Sequence, residues 1–184
     1  MGKIIEGSVD LQGLHLNELF DLSDVEVTGV FNCSVNNLTS LDGAPHTVGG
    51  TFYCSRNNLT NLEGGPHTVG RSFYCVDNNL TSLKGSPHTV GDNFWCSNNN
   101  LTSLKGAPKT VGNSFNCSNN NLTSLTGAPY IVGFSFDCSG NNLISLDGVP
   151  KTIGGYFYID KTLEDKFPEE YIRSLCVIKG KVVY

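Results

Sequence analysis

The stretch FYCSRNNLTNLEGGPHTVGRSFYCVDNNLTSLKGSPHTVGDNFWC, Phe52 to Cys96, states one pattern twice and begins it a third time. Its cysteines stand at 54, 75 and 96, each step 21 residues. Outward from there the same clock places Cys33, Cys117 and Cys138, with Ile159 one step further on. Two residues before each lies a phenylalanine, from Phe31 to Phe157. Three residues after each cysteine comes an asparagine, from Asn36 to Asn141, and then two leucines, as in Leu38 and Leu41. Each copy closes on Gly-x-Pro, as in Gly43-Ala44-Pro45, followed by Val-Gly or Ile-Gly. A fixed period of this length is the mark of a solenoid.

One coil follows from its pattern. Phe-x-Cys alternates with period two, so both side chains point to one face of a short strand. The chain then turns through the asparagine, passes two inward leucines and bends again at Gly-x-Pro, where glycine tolerates unusual backbone angles and proline fixes φ. About five apolar side chains per coil cannot offset the entropy of ordering the coil, so a coil needs neighbours on both sides.

Phe-x-Cys-x-x-Asn-x-Leu resembles the strand-and-asparagine half of a leucine-rich repeat, L-x-L-x-x-N-x-L, with Phe and Cys in place of two leucines. Leu-x-Gly-x-Pro resembles the short proline-marked repeats of bacterial type III effectors, lengthened by one residue. The fuller string Asn-Asn-Leu-Thr-Ser-Leu-x-Gly-Ala-Pro-x-Thr-Val-Gly is most similar to repeat proteins of tailed bacteriophages. The resemblance covers about Val27 to Ile159. It implies a leucine-rich-repeat-like right-handed coil stack, mainly β, with short parallel strands on its concave face, and a binding surface. The expected organisation is a degenerate first coil over residues 1–26 (Val9, Leu11, Leu16 and Leu19), a solenoid over 27–160, and a cap over 161–184. In that cap Pro168-Glu169-Glu170 predicts a helix start with Tyr171, Ile172 and Leu175 as its apolar stripe. The tail CVIKGKVVY predicts a strand, or a hairpin turning at Lys179-Gly180. Both ends are expected to cover the open core and the unpaired strand edges.

Charged residues make up 16% and the net charge is −5, which gives no surface for nucleic acid or an anionic membrane. No apolar run is long enough to span a bilayer. The opening residues Met1–Glu6 carry no apolar leader core, and seven cysteines read as reduced core thiols, with Ile159 as their apolar equivalent. The expectation is a cytoplasmic protein, in the host cell if phage-encoded. The five Asn-Leu-Thr triplets starting with Asn37 are then accidental matches to a glycosylation site.

His46, His67 and His88 form a column that passes into Lys109, Tyr130 and Lys151, so solvated turn residues are the reading and a metal site is not. No catalytic constellation stands out, and neither an enzyme nor a cofactor is expected. What varies is the outward residue between Phe and Cys: Asn32, Tyr53, Tyr74, Trp95, Asn116, Asp137 and Tyr158. The scaffold itself demands no particular residue there. Tyr53, Tyr74 and Trp95 would stack as one stripe, with Arg56, Asp77, Arg71 and Asp92 as a charged rim. Such aromatics anchor interfaces. The site predicted is therefore a protein-binding face with a host protein as partner, and its inhibition or sequestration as the function. A spacer or virion decoration is the alternative. Last comes an ice- or carbohydrate-binding array using Thr39, Thr60, Thr81, Thr102 and Thr123.

Overall fold

A computed structural model describes residues 3–184. Each coil carries two short strands. The first coils hold β1 (Lys3–Ile5), β2 (Val9–Asp10), β3 (Val25–Val27) and β4 (Phe31–Asn32). The regular coils follow with β5 (Thr47–Val48) and β6 (Phe52–Tyr53), β7 (Thr68–Val69) and β8 (Phe73–Tyr74), β9 (Thr89–Val90) and β10 (Phe94–Trp95). Next come β11 (Thr110–Val111) and β12 (Phe115–Asn116), β13 (Ile131–Val132) and β14 (Phe136–Asp137), β15 (Thr152–Ile153) and β16 (Phe157–Tyr158). A 3-10 turn over Lys161–Leu163, helix α1 (Glu169–Leu175), β17 (Val177–Ile178) and β18 (Val182–Val183) complete the chain. Odd-numbered strands form one nine-stranded parallel sheet and even-numbered strands another.

The protein is thus a parallel β-solenoid of about nine coils, as the period requires. Beside the strand row expected from Phe-x-Cys it carries a second one. The Thr-Val pair before each glycine corner is a second strand, with valine buried and the preceding residue outward. The corner needs glycine because adjacent coils approach closely there. A Cβ on Gly112 would collide with the carbonyl oxygen of Gly91, and one on Gly91 with that of Gly70.

The core lies between the sheets. Val48, Phe52, Cys54, Leu59 and Leu62 are fully buried, and the next four coils bury the same set. The phenylalanine rings from Phe31 to Phe157 stack with centroids 5.3–5.8 Å apart and planes within 6–12° of parallel. The asparagines are buried polar groups whose bonds span coils, as the turn argument requires. Asn78 Nδ2 donates to the carbonyls of Cys54 (3.0 Å), Cys75 (3.2 Å) and Val76 (3.4 Å), while its Oδ1 accepts the Leu59 amide at 3.1 Å.

Helix α1 forms where expected, with Ile172 fully buried, Leu175 half-buried and Tyr171 exposed. The tail is no hairpin. β17 and β18 do not pair with each other; each adds in parallel to its own sheet, Ile178 beside Ile153 and Val182 beside Phe157. The tail is a final coil whose step lengthens to 25 residues because the turn and helix are inserted, and Val9 beside Phe31 makes the first step 22. The terminal segments therefore extend the sheets, and β1, β2, β17 and β18 are themselves the edges. No helix among the described residues is long and apolar enough to cross a membrane.

Candidate functional site

The outward residues of the even-numbered sheet stand in strict register: Asn32, Tyr53, Tyr74, Trp95, Asn116, Asp137 and Tyr158. The structure brings the predicted aromatics together. Tyr53 and Tyr74 stack at 5.0 Å with planes 8° apart, and Trp95 meets Tyr74 edge-on at 5.2 Å. The tyrosines are half-buried and Trp95 is 39% exposed. Because the stacked tyrosines cover one face of each other, they present ring edges and hydroxyls outward, beside an exposed indole.

The polar members of the column have a local task that the sequence reading denied them. Asn32 Oδ1 accepts the Ser34 amide at 3.1 Å, Asn116 Oδ1 that of Ser118 at 2.9 Å, and Asp137 Oδ1 that of Ser139 at 3.0 Å. In each case the serine hydroxyl donates to the same oxygen. These are Asx turns, in which a short polar side chain satisfies the backbone two residues on. Scaffold logic does specify this position, and Tyr53, Tyr74 and Trp95 depart from what it specifies.

The predicted rim divides. Arg56 and Asp77 occupy a row of left-handed backbone at φ 55°, which continues through Asn98 and Asn119. Their side chains are tied along the row: Arg56 Nε lies 3.5 Å from Asp77 Oδ2, Asn98 Nδ2 donates to Asp77 Oδ1 at 2.7 Å, and Asn119 Nδ2 to Asn98 Oδ1 at 3.0 Å. Arg71, exposed, and Asp92, half-buried, stand at the glycine corner on the strands' other flank. Tyr158 belongs to a second aromatic group absent from the sequence reading. Its ring lies 6.1 Å from Tyr156, which meets Phe134 edge-on at 5.8 Å. Phe134 takes the corner position of Arg71 and Asp92, and Tyr156 the site of Ser72 and Asn93. A single aromatic in each otherwise small or polar row was the available signal.

Two further features lie on the opposite flank. His46 and His67 have ring centroids 4.4 Å apart and His67 and His88 6.0 Å, along an open groove of about 980 Å³ that reaches Lys109. Lys84 in this groove is paired with Glu63 at 2.6 Å. Among the described residues no group of three or more His, Cys, Asp or Glu is placed to hold a metal ion. Beside the histidines, Thr47, Thr68 and Thr89 stand in register on the odd-numbered sheet, a threonine row distinct from the Thr39 row.

All seven cysteines are free and buried. Burial raises each thiol, Cys33 to about 12 and Cys176 to about 11. Each column thiol donates to a carbonyl of the next coil, as from Cys54 Sγ to Tyr74 O at 3.4 Å. Groups held protonated in this way supply no thiolate nucleophile. No known protein family, curated protein or solved structure matches this chain.

Proposed function

We propose that this solenoid is a non-catalytic binding module that docks another protein through Tyr53, Tyr74 and Trp95. The observation that carries the reading is the exchange of residue type in one column. Where Asn32, Asn116 and Asp137 close a turn, three consecutive coils give up that bond for large rings on an exposed sheet. Exposed Trp and Tyr clusters of this kind supply rigid contact area at low entropic cost. Phe134, Tyr156 and Tyr158 extend the surface toward the C-terminal coils, and Asn116 and Asp137 separate the two groups. On the likeness of the repeats to tailed-bacteriophage proteins, the partner proposed is a host protein that docking inhibits or sequesters.

The test is capture from bacterial lysate by the wild-type chain, followed by affinity measurement with the captured protein. Trp95→Ala is expected to weaken binding about thirtyfold, the effect of losing an anchor worth ~2 kcal/mol. Thr68→Ala, on the other sheet, is expected to leave affinity unchanged. If binding survives alanine at Tyr53, Tyr74 and Trp95 together and is abolished by changes at His46, His67 and His88, the docking face is the histidine groove.

The threonine row favours a second reading, a regular array for ice or carbohydrate. Thr47, Thr68 and Thr89 do lie on strands, in register. The row is one residue wide, with imidazoles beside it and Ile131 interrupting it. An ice-recrystallisation assay in which wild type and Thr68→Lys behave alike would dispose of it.

A further inference from the structure

The corner between the two sheets carries two rows of backbone hydrogen bonds along the solenoid, the second of them unbroken. In the first row the inward residue before the corner accepts from the coil that follows at every coil but that of Val90: Val27 O from Gly49 N (2.8 Å), Val48 O from Gly70 N (2.8 Å), Val132 O from Gly154 N (2.9 Å) and Ile153 O from Lys179 N (3.0 Å). In the second row Gly29 O accepts from Gly50 N (2.9 Å), Gly50 O from Arg71 N (3.1 Å), Phe134 O from Gly155 N (2.7 Å) and Gly155 O from Gly180 N (3.0 Å). At the last coil both rows end, on Ile178 O and Gly180 O.

One side chain meets both. Arg173 Nη1 donates to Ile178 O at 2.8 Å and Nη2 to Gly180 O at 2.8 Å. The guanidinium is held there by Glu169, whose Oε1 lies 2.7 Å from both Nε and Nη2. The planar fork thus stands where a further coil would place its two corner amides. The opposite end is closed in the same corner: the Gly7 amide, which begins the second row, donates to Thr28 Oγ1 at 2.9 Å.

The strand edges beside these closures are complementary. Continuing the register past the last coil with a second copy would set Ile4 beside Val177, Ile5 beside Ile178 and Val9 beside Val182. Ile4 and Val177 are 58% and 61% exposed, so the contact would cover apolar side chains that each chain leaves in water. We propose that Arg173 terminates the solenoid, and that without it the C-terminal edge takes the N-terminal coil of a second copy. Such a head-to-tail contact does not close on itself and grows into chains.

Sedimentation of the 184-residue chain over a concentration series tests this. Wild type is expected to keep one monomer mass at all concentrations. Folded Arg173→Ala is expected to at least double its weight-average mass and to grow further with concentration. Adding Ile4→Pro should return it to monomer, because Lys3 N bonds inward to Asp24 O at 3.3 Å and alternation points the Ile4 amide outward. Arg173→Lys keeps the aliphatic stem without the fork and substitutes if the alanine variant does not fold. A folded variant that stays monomeric, self-association that survives Ile4→Pro, or association of wild type itself would each overturn the proposal. If neither variant folds, guanidinium proton exchange in wild type decides: protons exchanging as fast as those of Arg56 would show that Arg173 is not locked on the two carbonyls.

Discussion

Raising the pH should unfold this protein through its cysteines, and the size of the effect follows from the core. The six column thiols are buried and held protonated, with Cys33 at about 12 against an ordinary thiol value of 9.0. In the unfolded chain they ionise near that ordinary value. A folded value above the unfolded one means that the contribution to stability is complete below pH 9 and is lost as pH rises toward the folded values. Each thiol then costs about 0.4 kcal/mol at pH 9 and about 1.4 kcal/mol at pH 10, so six cost about 2.5 and about 8 kcal/mol. Domains are stable by roughly 5–15 kcal/mol, so the loss is of the order of the whole. Urea unfolding under reductant at intervals from pH 7 to 10.5 should show a nearly constant midpoint to pH 8 and collapse above pH 9. Cys96→Ala should be less stable at pH 7 yet lose about one sixth less between pH 7 and 10. A midpoint unchanged at pH 10 would refute the burial argument.

Two substitutions test the backbone. Val35 is a β-branched residue at φ 57°, in the row where Asn98, Asn119 and Gly140 also stand. It is 41% exposed, so Val35→Asn relieves strain without opening the core and should stabilise by about 1 kcal/mol, read as a higher urea midpoint; no gain would mean that the turn absorbs the strain. Asn78→Ala should cost about 2 kcal/mol or more, because it leaves the buried Leu59 amide without its acceptor and takes one of two asparagine donors from the Cys54 carbonyl. An unchanged thermal midpoint for that variant would show that the asparagine ladder does not hold the coils together.

The repeat was legible because its largest side chains recur at one spacing: Phe52, Cys54, Leu59 and Leu62 are the large apolar side chains of the core. What the pattern left unassigned is the strand at Val48, and with it the second sheet. A strand of two residues shows one alternation, Thr47 outward and Val48 inward, which no periodicity argument can separate from a turn. The ends were harder for a different reason. Ile178 and Val182 stand in the places of Ile153 and Phe157, but the inserted helix shifts them by four residues and removes the Phe-x-Cys landmark. Two apolar pairs flanking Lys179-Gly180 then look like a hairpin. Long-range pairing with the coil before, not the local turn, decides their partners.

The outward column shows what a sequence reader needs in order to tell scaffold from site. Asn32-Cys33-Ser34 and Asn116-Cys117-Ser118 share a local form, and Asp137-Cys138-Ser139 is its acidic version. Trp95-Cys96-Ser97 has the same serine but an indole where the turn-closing oxygen belongs. If that indole is retained for docking alone, restoring the oxygen should recover local stability. Trp95→Asn and Trp95→Ala both lose the edge contact with Tyr74, so their difference isolates the turn. The asparagine can accept the amide and the hydroxyl of Ser97, as its counterparts do for Ser34 and Ser118. At roughly 0.5–1.5 kcal/mol for each bond, Trp95→Asn should be the more stable variant by about 1–2 kcal/mol. Both should lose affinity for the captured partner alike. Equal stability of the two variants would remove the structural reason for polar residues in this column, and with it the contrast that singles out the aromatic coils.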